Sequence, residues 1–478
     1  MVETLTILKL ALFKMHNGWL RYISILLSIK PTIMKKLILV FLIFSIQIQA
    51  QQILSEKERA VVVDEILTHR FNNLLPKLMD LTGIDMWILI SREYNEDPVL
   101  KTMLPATWLN ARRRTIILFY RNKEKNTIDK LAVARYNFGD NITSAWDKAK
   151  EPNQWKRLVQ LIEERNPKSI GLNFSTHFNI SDGLDKTDYD AFMQYLPKKF
   201  SNKVVSAEKL ATAWIETRTP REMIIYRQLV DITHSIIAEA FSEKVITAGI
   251  TTTTDVEWWL RQKVTNLGLD TWFHPSVDVQ RSSEVLESHI YSFDDRPNKM
   301  LILPGDLLHC DFGITYLRLN TDCQELAYVL KPNETEPPIY LQNALVEGNA
   351  VQDIFISNFE KGKTGNQILL KSLEEAKAQG LQPAIYTHPL GSYGHSSGPT
   401  IGMWDAQEGV TGAGDYPLYP NTVYAIELNT TVNIPQWKRD IRIMLEEAGF
   451  YGENGFRYVN GRQTKLLTIP RVNNHQGN

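Results

Sequence analysis

Residues 305–330, GDLLHCDFGITYLRLNTDCQELAYVL, constrain the chain more than any other stretch. Leu307, Leu308, Cys310 and Phe312 mark one apolar strand, Leu326, Tyr328 and Val329 a second, with a loop between. Each half carries an aspartate, Asp311 and Asp322. An acid inside a buried strand is unfavourable unless something pairs it. No lysine or arginine stands immediately beside either one. The pair therefore points to a cation, because hard divalent ions take carboxylate oxygens and a two-metal site needs several. Aspartates at strand ends are more commonly turn residues, so the reading depends on ligands further along.

The chain has 478 residues, enough for two or three domains and a large core. Lys+Arg 53 against Asp+Glu 54 gives a formal net charge of -1. Composition thus does not point to nucleic acid or to an anionic membrane. The two cysteines, Cys310 and Cys323, exclude a disulfide scaffold and a thiolate zinc cluster.

The first fifty residues are expected to lie outside the fold. From Met34 the chain reads MKKLILVFLIFSIQIQAQQ. Lys35 and Lys36 form a basic segment, residues 37–46 an apolar one, and Ile48, Gln49 and Ala50 a cleavage site, the order of a bacterial secretory signal. A membrane anchor is the competing reading, but the apolar run is short and glutamines follow it at once. Residues 1–33 read as an upstream extension, with Met34 as the true start. The mature protein would then be periplasmic or secreted, without a stable membrane anchor.

Residues 56–79 have helical spacing, and the segments from Met86, Thr115, Lys130 and Ser169 read as strands. Arg92, Glu93 and Asp97 read as a solvated loop, with reach toward a neighbouring site as the alternative. Pro220 suits the first turn of a helix running to about Lys244. Thr252 opens another, which ends at Gly268. A strand-like stretch, residues 271–281, and His289 precede the aspartates, and helices are expected over 338–359 and 365–379.

The remaining acids and histidines follow. Residues 387–402 hold His388, His395 and four glycines that let the backbone approach something closely. His395, in Gly-His-Ser-Ser-Gly, is the better ligand candidate. Glu427 is an acid in an otherwise apolar strand, and Glu446 and Glu447 end the run from Asp440. Asp, Asp, His, Glu, Glu in this order, with the ten-residue gap between the aspartates, resembles the pita-bread metallopeptidases: Xaa-Pro aminopeptidases, prolidases, methionine aminopeptidases and the non-peptidase relative creatinase.

The resemblance covers about residues 220–470. It implies an α/β (α+β) chain: a creatinase-type amino-terminal domain over 51–217, a pita-bread catalytic domain over 218–470, and a tail over 471–478. It implies metal ligands Asp311, Asp322, His395, Glu427 and Glu446, with Asp322 and Glu446 bridging two divalent ions. These would be Mn(II), with Zn(II) or Co(II) also tolerated. Glu427 would also move protons, His289 and His388 would hold substrate, and Arg442 would bind a carboxylate or orient a ligand. The expected substrates are peptides with proline in second position, cleaved by a metal-activated water. A homodimer is left open. A creatinase-like amide hydrolase and a non-catalytic binding protein are the alternatives.

There are departures from the family pattern. Arg-Ile-Glu is here Arg442-Ile-Met-Leu-Glu446. Two extra residues keep strand parity, which favours Glu446 over Glu447 as ligand. Trp404 stands where a second histidine is usual, and His388 or His274 are the substitutes. His309 shares a strand face with Asp311, either supporting a ligand or simply packed. If Asp311 and Asp322 face each other across a hairpin, Cys310 and Cys323 do too, within reach of a disulfide. Two buried free thiols are the competing expectation.

Overall fold

The computed structural model describes residues 53–282 and 299–471. Two sheets dominate. The first contains β1 (Met86–Arg92), β2 (Arg114–Asn122), β3 (Thr127–Ala132), β4 (Thr143–Ser144), β5 (Ile170–Leu172) and β6 (Val204–Ser206), in the order β4-β3-β2-β1-β5-β6. Strand β1 is apolar from Met86 to Ile90 because both faces are covered. Trp87 and Leu89 pack with Phe71 and Leu75 on one side. Met86, Ile88 and Ile90 pack with Leu158 and Phe192 on the other.

The amino-terminal helical spacing is realised as helix Glu56–His69, a wider turn Arg70–Leu74, and helix Leu75–Thr82, which stops at left-handed Gly83. At the expected boundary, the Thr219 side chain caps helix Pro220–Ala240 and Glu222 caps back. Glu222 also takes the buried guanidinium groups of Arg70 and Arg218 at 3.0 and 3.1 Å. Helix Thr253–Asn266 has the same reciprocal cap at Thr252, and left-handed Gly268 follows it.

The second part of the chain supplies β7 (Ser276–Gln280), β8 (Leu307–Phe312), β9 (Thr315–Tyr316), β10 (Leu319–Asn320), β11 (Cys323–Val329), β12 (Pro383–Ile385), β13 (His388–Leu390), β14 (Thr422–Ile434), β15 (Arg439–Gly452), β16 (Gly455–Tyr458) and β17 (Leu467–Ile469). The large sheet runs β12-β14-β15-β11-β8-β7, with β13 beside β14, β16 beside β15 and β17 beside β11. All its pairings are antiparallel except β11 with β17. Helices Ile339–Ser357 and Gly365–Ala378 lie where the periodicity places them. Helix Ile339–Ser357 approaches closely at Gly348, where a Cβ would sit 2.7 Å from Ile443 and 2.9 Å from Leu445. Among the described residues, no helix is long and apolar enough to cross a membrane.

The strand-like stretch 271–281 is strand only from Ser276. The expected pairing of Asp311 with Asp322 is also corrected. β9 and β10 form a short hairpin, pairing Tyr316 with Leu319, and the same register places Asp311 opposite Gln324. Cys310 then faces Glu325, and Cys323 faces Phe312. The two cysteines share a face only diagonally, at a spacing of about 7–8 Å, beyond a disulfide's Cα range. Both are free and buried.

Candidate metal centre

Register builds the site. Glu427 on β14 pairs with Glu446 on β15, and Glu446 with Gln324 on β11. Gln324 pairs with Asp311 on β8, and Asp311 with Ser276 on β7. Paired residues share a sheet face, so one row of side chains crosses five strands. Asp322 lies two residues before Gln324 and falls on the same face. His388 pairs with Ala425, two residues before Glu427, and joins them.

The ligand atoms of Asp311, Asp322 and Glu446 lie within 4.8 Å of one another, as do those of His388, Glu427 and Glu446, and of Asp322, His388 and His395. His388 Nδ1 lies 3.0 Å from the Pro389 carbonyl, which turns Nε2 inward, 3.6 Å from both Asp322 Oδ2 and Glu446 Oε1. That exceeds a hydrogen bond. Asp322 Oδ1, Glu446 Oε1 and His388 Nε2 are buried without a hydrogen-bond partner. Buried oxygens in this state are costly unless a cation satisfies them. An oxygen-rich set with imidazole fits manganese, zinc or cobalt.

The electrostatics agree. Burial, reinforced by Asp322, Glu427 and Asp311, pushes the Glu446 carboxyl far above its usual range. Burial opposes charging of His388, but the Asp322 carboxylate outweighs it and raises the pKa, with Glu427 and the Pro389 carbonyl adding. Burial and the neighbouring His388 lower that of His395. Crowding of like charges raises a carboxyl in this way, and a cation placed among these acids would relieve it.

A hydrogen-bonded chain supports the acids from the side. Gln324 Nε2 donates to Glu427 Oε1 at 2.6 Å and to Glu446 Oε2 at 3.0 Å. Its Oε1 faces His309 Nε2 at 2.9 Å, and His309 Nδ1 faces Asp278 Oδ2 at 3.1 Å. His309 is thus buried and linked to the site, joining the two readings of it. Gln324 and Asp278 were not singled out in the sequence. The signal for Gln324 is a polar side chain two residues from Asp322 on the same strand face; Asp278 lies in Ser-Val-Asp-Val-Gln, where polar residues alternate and none stands out.

The two histidines differ in depth. His388 is buried and joins two groups of acids, whereas His395 is exposed and shares a group with Asp322 alone among the acids. Their rings are 4.6 Å apart, and His395 lies edge-on to Trp272 at 5.2 Å. The glycines of this loop approach protein rather than open space: a Cβ on Gly394 would meet Trp272 at 2.3 Å.

Glu447 occupies the opposite face, its Oε2 2.8 Å from His234 Nε2. Arg442 shares the Glu446 face at a spacing of four residues, its backbone bonded twice to the Gln280 amide. Its charge is felt at half-buried Tyr386 beside Glu427. Trp404 is 52% exposed. His274 packs on Trp258, 4.0 Å from Glu257, and belongs to none of these groups. Asp97 is corrected from solvated to fully buried. It caps helix Pro98–Met103 and accepts from Asn173, and burial raises its pKa to about 6. Arg92 is engaged by Asp188 at 2.8 Å. His289 and residues 1–50 lie outside the described residues.

The sequence model of metallopeptidase family M24 matches residues 225–450, which hold all the acids and histidines gathered above. No curated protein matches the chain in sequence. Among solved structures, the X-Pro aminopeptidase from Thermotoga maritima is similar with a TM-score of 0.57 and 15% identity, over 82% of this chain and 100% of that one. The prolidase from Thermococcus sibiricus gives 0.53 and 12%, over 84% and 98%. The Xaa-Pro dipeptidase from Bacillus anthracis gives 0.50 and 16%, over 87% and 100%. The fold is therefore that of the pita-bread metallopeptidases. More narrowly, residues 225–450, just under half of the chain, match the model of metallopeptidase family M24.

Proposed function

We propose that this chain is an exported dinuclear-metal peptidase that hydrolyses the bond before proline at peptide amino termini. The observation that carries the reading is the row Glu427, Glu446 and Asp311 with Asp322 beside it, in which Asp322 Oδ1 and Glu446 Oε1 are buried without a hydrogen-bond partner. Asp311, Asp322, Glu427 and Glu446 would hold the two cations, together with an imidazole. The depth of His388 favours it for that role over His395, and His395 at the exposed rim then faces the substrate. When bound, such cations supply a water of lowered pKa and polarise the scissile carbonyl.

The chain's own groups do the rest. Gln324 fixes the carboxylates of Glu427 and Glu446, so neither must reorient as charge develops. Glu427 is the carboxylate assigned to proton transfer. Arg442 is assigned to a substrate carboxylate or to holding a ligand, and His289 to substrate. The division into 51–217 and 218–470 belongs to the same proposal, as does maturation near Gln51.

The test is hydrolysis of X-Pro dipeptides and longer X-Pro peptides by Mn-supplemented protein beginning near Gln51. Cleavage of either class is expected, and Asp322→Ala should abolish both metal binding and turnover. A metal-loaded enzyme inactive on every such peptide would transfer the reading to a creatinase-like amide hydrolase.

A further inference from the structure

The rear face of the large sheet carries a second group of metal-ligating side chains, made from residues adjacent to the front ligands. Cys323 follows Asp322 and Glu447 follows Glu446, so strand alternation turns both to the back. There they meet His234, from helix Pro220–Ala240. Ligand atoms of His234, Cys323 and Glu447 lie within 4.8 Å of one another.

We propose that His234, Cys323 and Glu447, with Glu325 as a fourth ligand, form a separate structural site for a zinc-class divalent cation.

Four observations support it. Thiolate, imidazole and carboxylate together suit zinc, whose tetrahedral edges at its usual bond lengths are about 3.3–3.8 Å. His234, Cys323 and Glu447 thus need to shift by only about an ångström, the His234–Glu447 pair opening from 2.8 Å. The Glu447 carboxylate is already aimed: the Gln463 backbone N–H donates to Oε1 at 2.9 Å, leaving Oε2 toward His234. Such support from behind is typical of metal-bound carboxylates. Glu325 lies two residues beyond Cys323 on the same face and is buried. The pocket thus holds two buried carboxylates, Glu325 and Glu447, more acid than its single imidazole offsets. Finally, the His234 side chain is 19% exposed, which gives a cation a route in.

The proposed role is to fasten three elements behind the front site. One cation would tie helix Pro220–Ala240 to β11, which leads out of Asp322, and to β15, which carries Glu446. The competing arrangement is a metal-free His234–Glu447 ion pair beside an inert thiol.

Cobalt distinguishes them, because the front site contains no sulfur. The full chain is stripped with a chelator and loaded with Co(II). The expected result is a thiolate-to-cobalt charge-transfer band in the near ultraviolet. It should be kept in Asp322→Ala and Cys310→Ser, and lost in Cys323→Ser and His234→Ala. Zinc-loaded Cys323→Ser should also carry one equivalent fewer than wild type. Absence of the band in folded, cobalt-loaded wild type overturns the proposal, whether or not the variants fold. So does a band that survives Cys323→Ser. Failure of peptide hydrolysis leaves this readout untouched, so the two proposals fall separately.

Discussion

Gln324 shows how a single residue can govern a metal centre without touching the metal. Its amide donates to two acids and accepts from His309, which in turn rests on Asp278. Gln324→Leu keeps the volume but removes every bond. Losses of ligand support typically cost about 10–100-fold in metal affinity or activity. The expected outcome is a shift of that order in the Mn(II) concentration needed for half-maximal hydrolysis. An unchanged Mn(II) dependence would show that the acids hold themselves. Glu216 carries a different prediction. Burial raises its pKa to about 8 from 4.5, against the bond from Tyr416. The folded state then keeps a proton that the unfolded state loses. This contribution is present below pH 4.5 and fades as pH rises toward 8, at up to about 1.4 kcal/mol per unit. Glu216→Gln removes it, so the variant's melting temperature relative to wild type should climb between pH 5 and 8; a flat difference would contradict the assignment. At this scale the acids were legible, because a carboxylate in an apolar strand stands out. The ranking of His388 and His395 was not, since it depends on which one the β13–β14 pairing buries.

At the scale of elements, the helices that open at Pro220 and Thr252 were visible from their starts. Thr219 with Glu222, Thr252 with Asp255 and Thr364 with Gln367 each form a reciprocal pair. Strand parity was also readable and put Glu446 in front and Glu447 behind. Register was not. The turn that sets it lies at Leu317 and Arg318, with φ of 51° and 64°. Two-residue hairpin turns with both φ positive normally advertise themselves as Asn-Gly or Asp-Gly. Here Leu317 packs against the core of the amino-terminal sheet, and Arg318 donates to the Leu104 carbonyl. Tertiary contacts hold a turn that local preference would not choose. The consequence is chemical: with Cys310 opposite Glu325, no disulfide forms. Titration of unfolded, unreduced, chelator-treated protein should find two thiols per chain. Finding none would mean that the strands pair two residues away from this register.

At the scale of the whole molecule, the two sheets are linked through the site. The Tyr393 hydroxyl, from the loop that carries His395, donates to the Pro98 carbonyl at 2.8 Å, and Arg70 reaches Glu222 from the amino-terminal helices. Truncation therefore has to respect the start of that helical segment. The Ser55 N–H and hydroxyl both donate to the Glu58 carboxylate at its amino end, and the Leu54 N–H donates to the Tyr316 hydroxyl at 3.0 Å. Arg59 bonds the Leu54 carbonyl and lies over the Tyr316 ring. These contacts begin just past Ala50, where the basic and apolar order from Lys35 onward places a cleavage site. A cap of this kind is typically worth about 1 kcal/mol. Protein beginning at Gln51 keeps it, whereas protein beginning at Lys57 loses Ser55 and Leu54. The first should match the full chain in urea midpoint, and the second should fall below it by roughly that amount. In the native host, amino-terminal sequencing should read from near Gln51; recovery of intact residues 1–50 on a cytoplasmic protein would end the export proposal while leaving the peptidase reading in place.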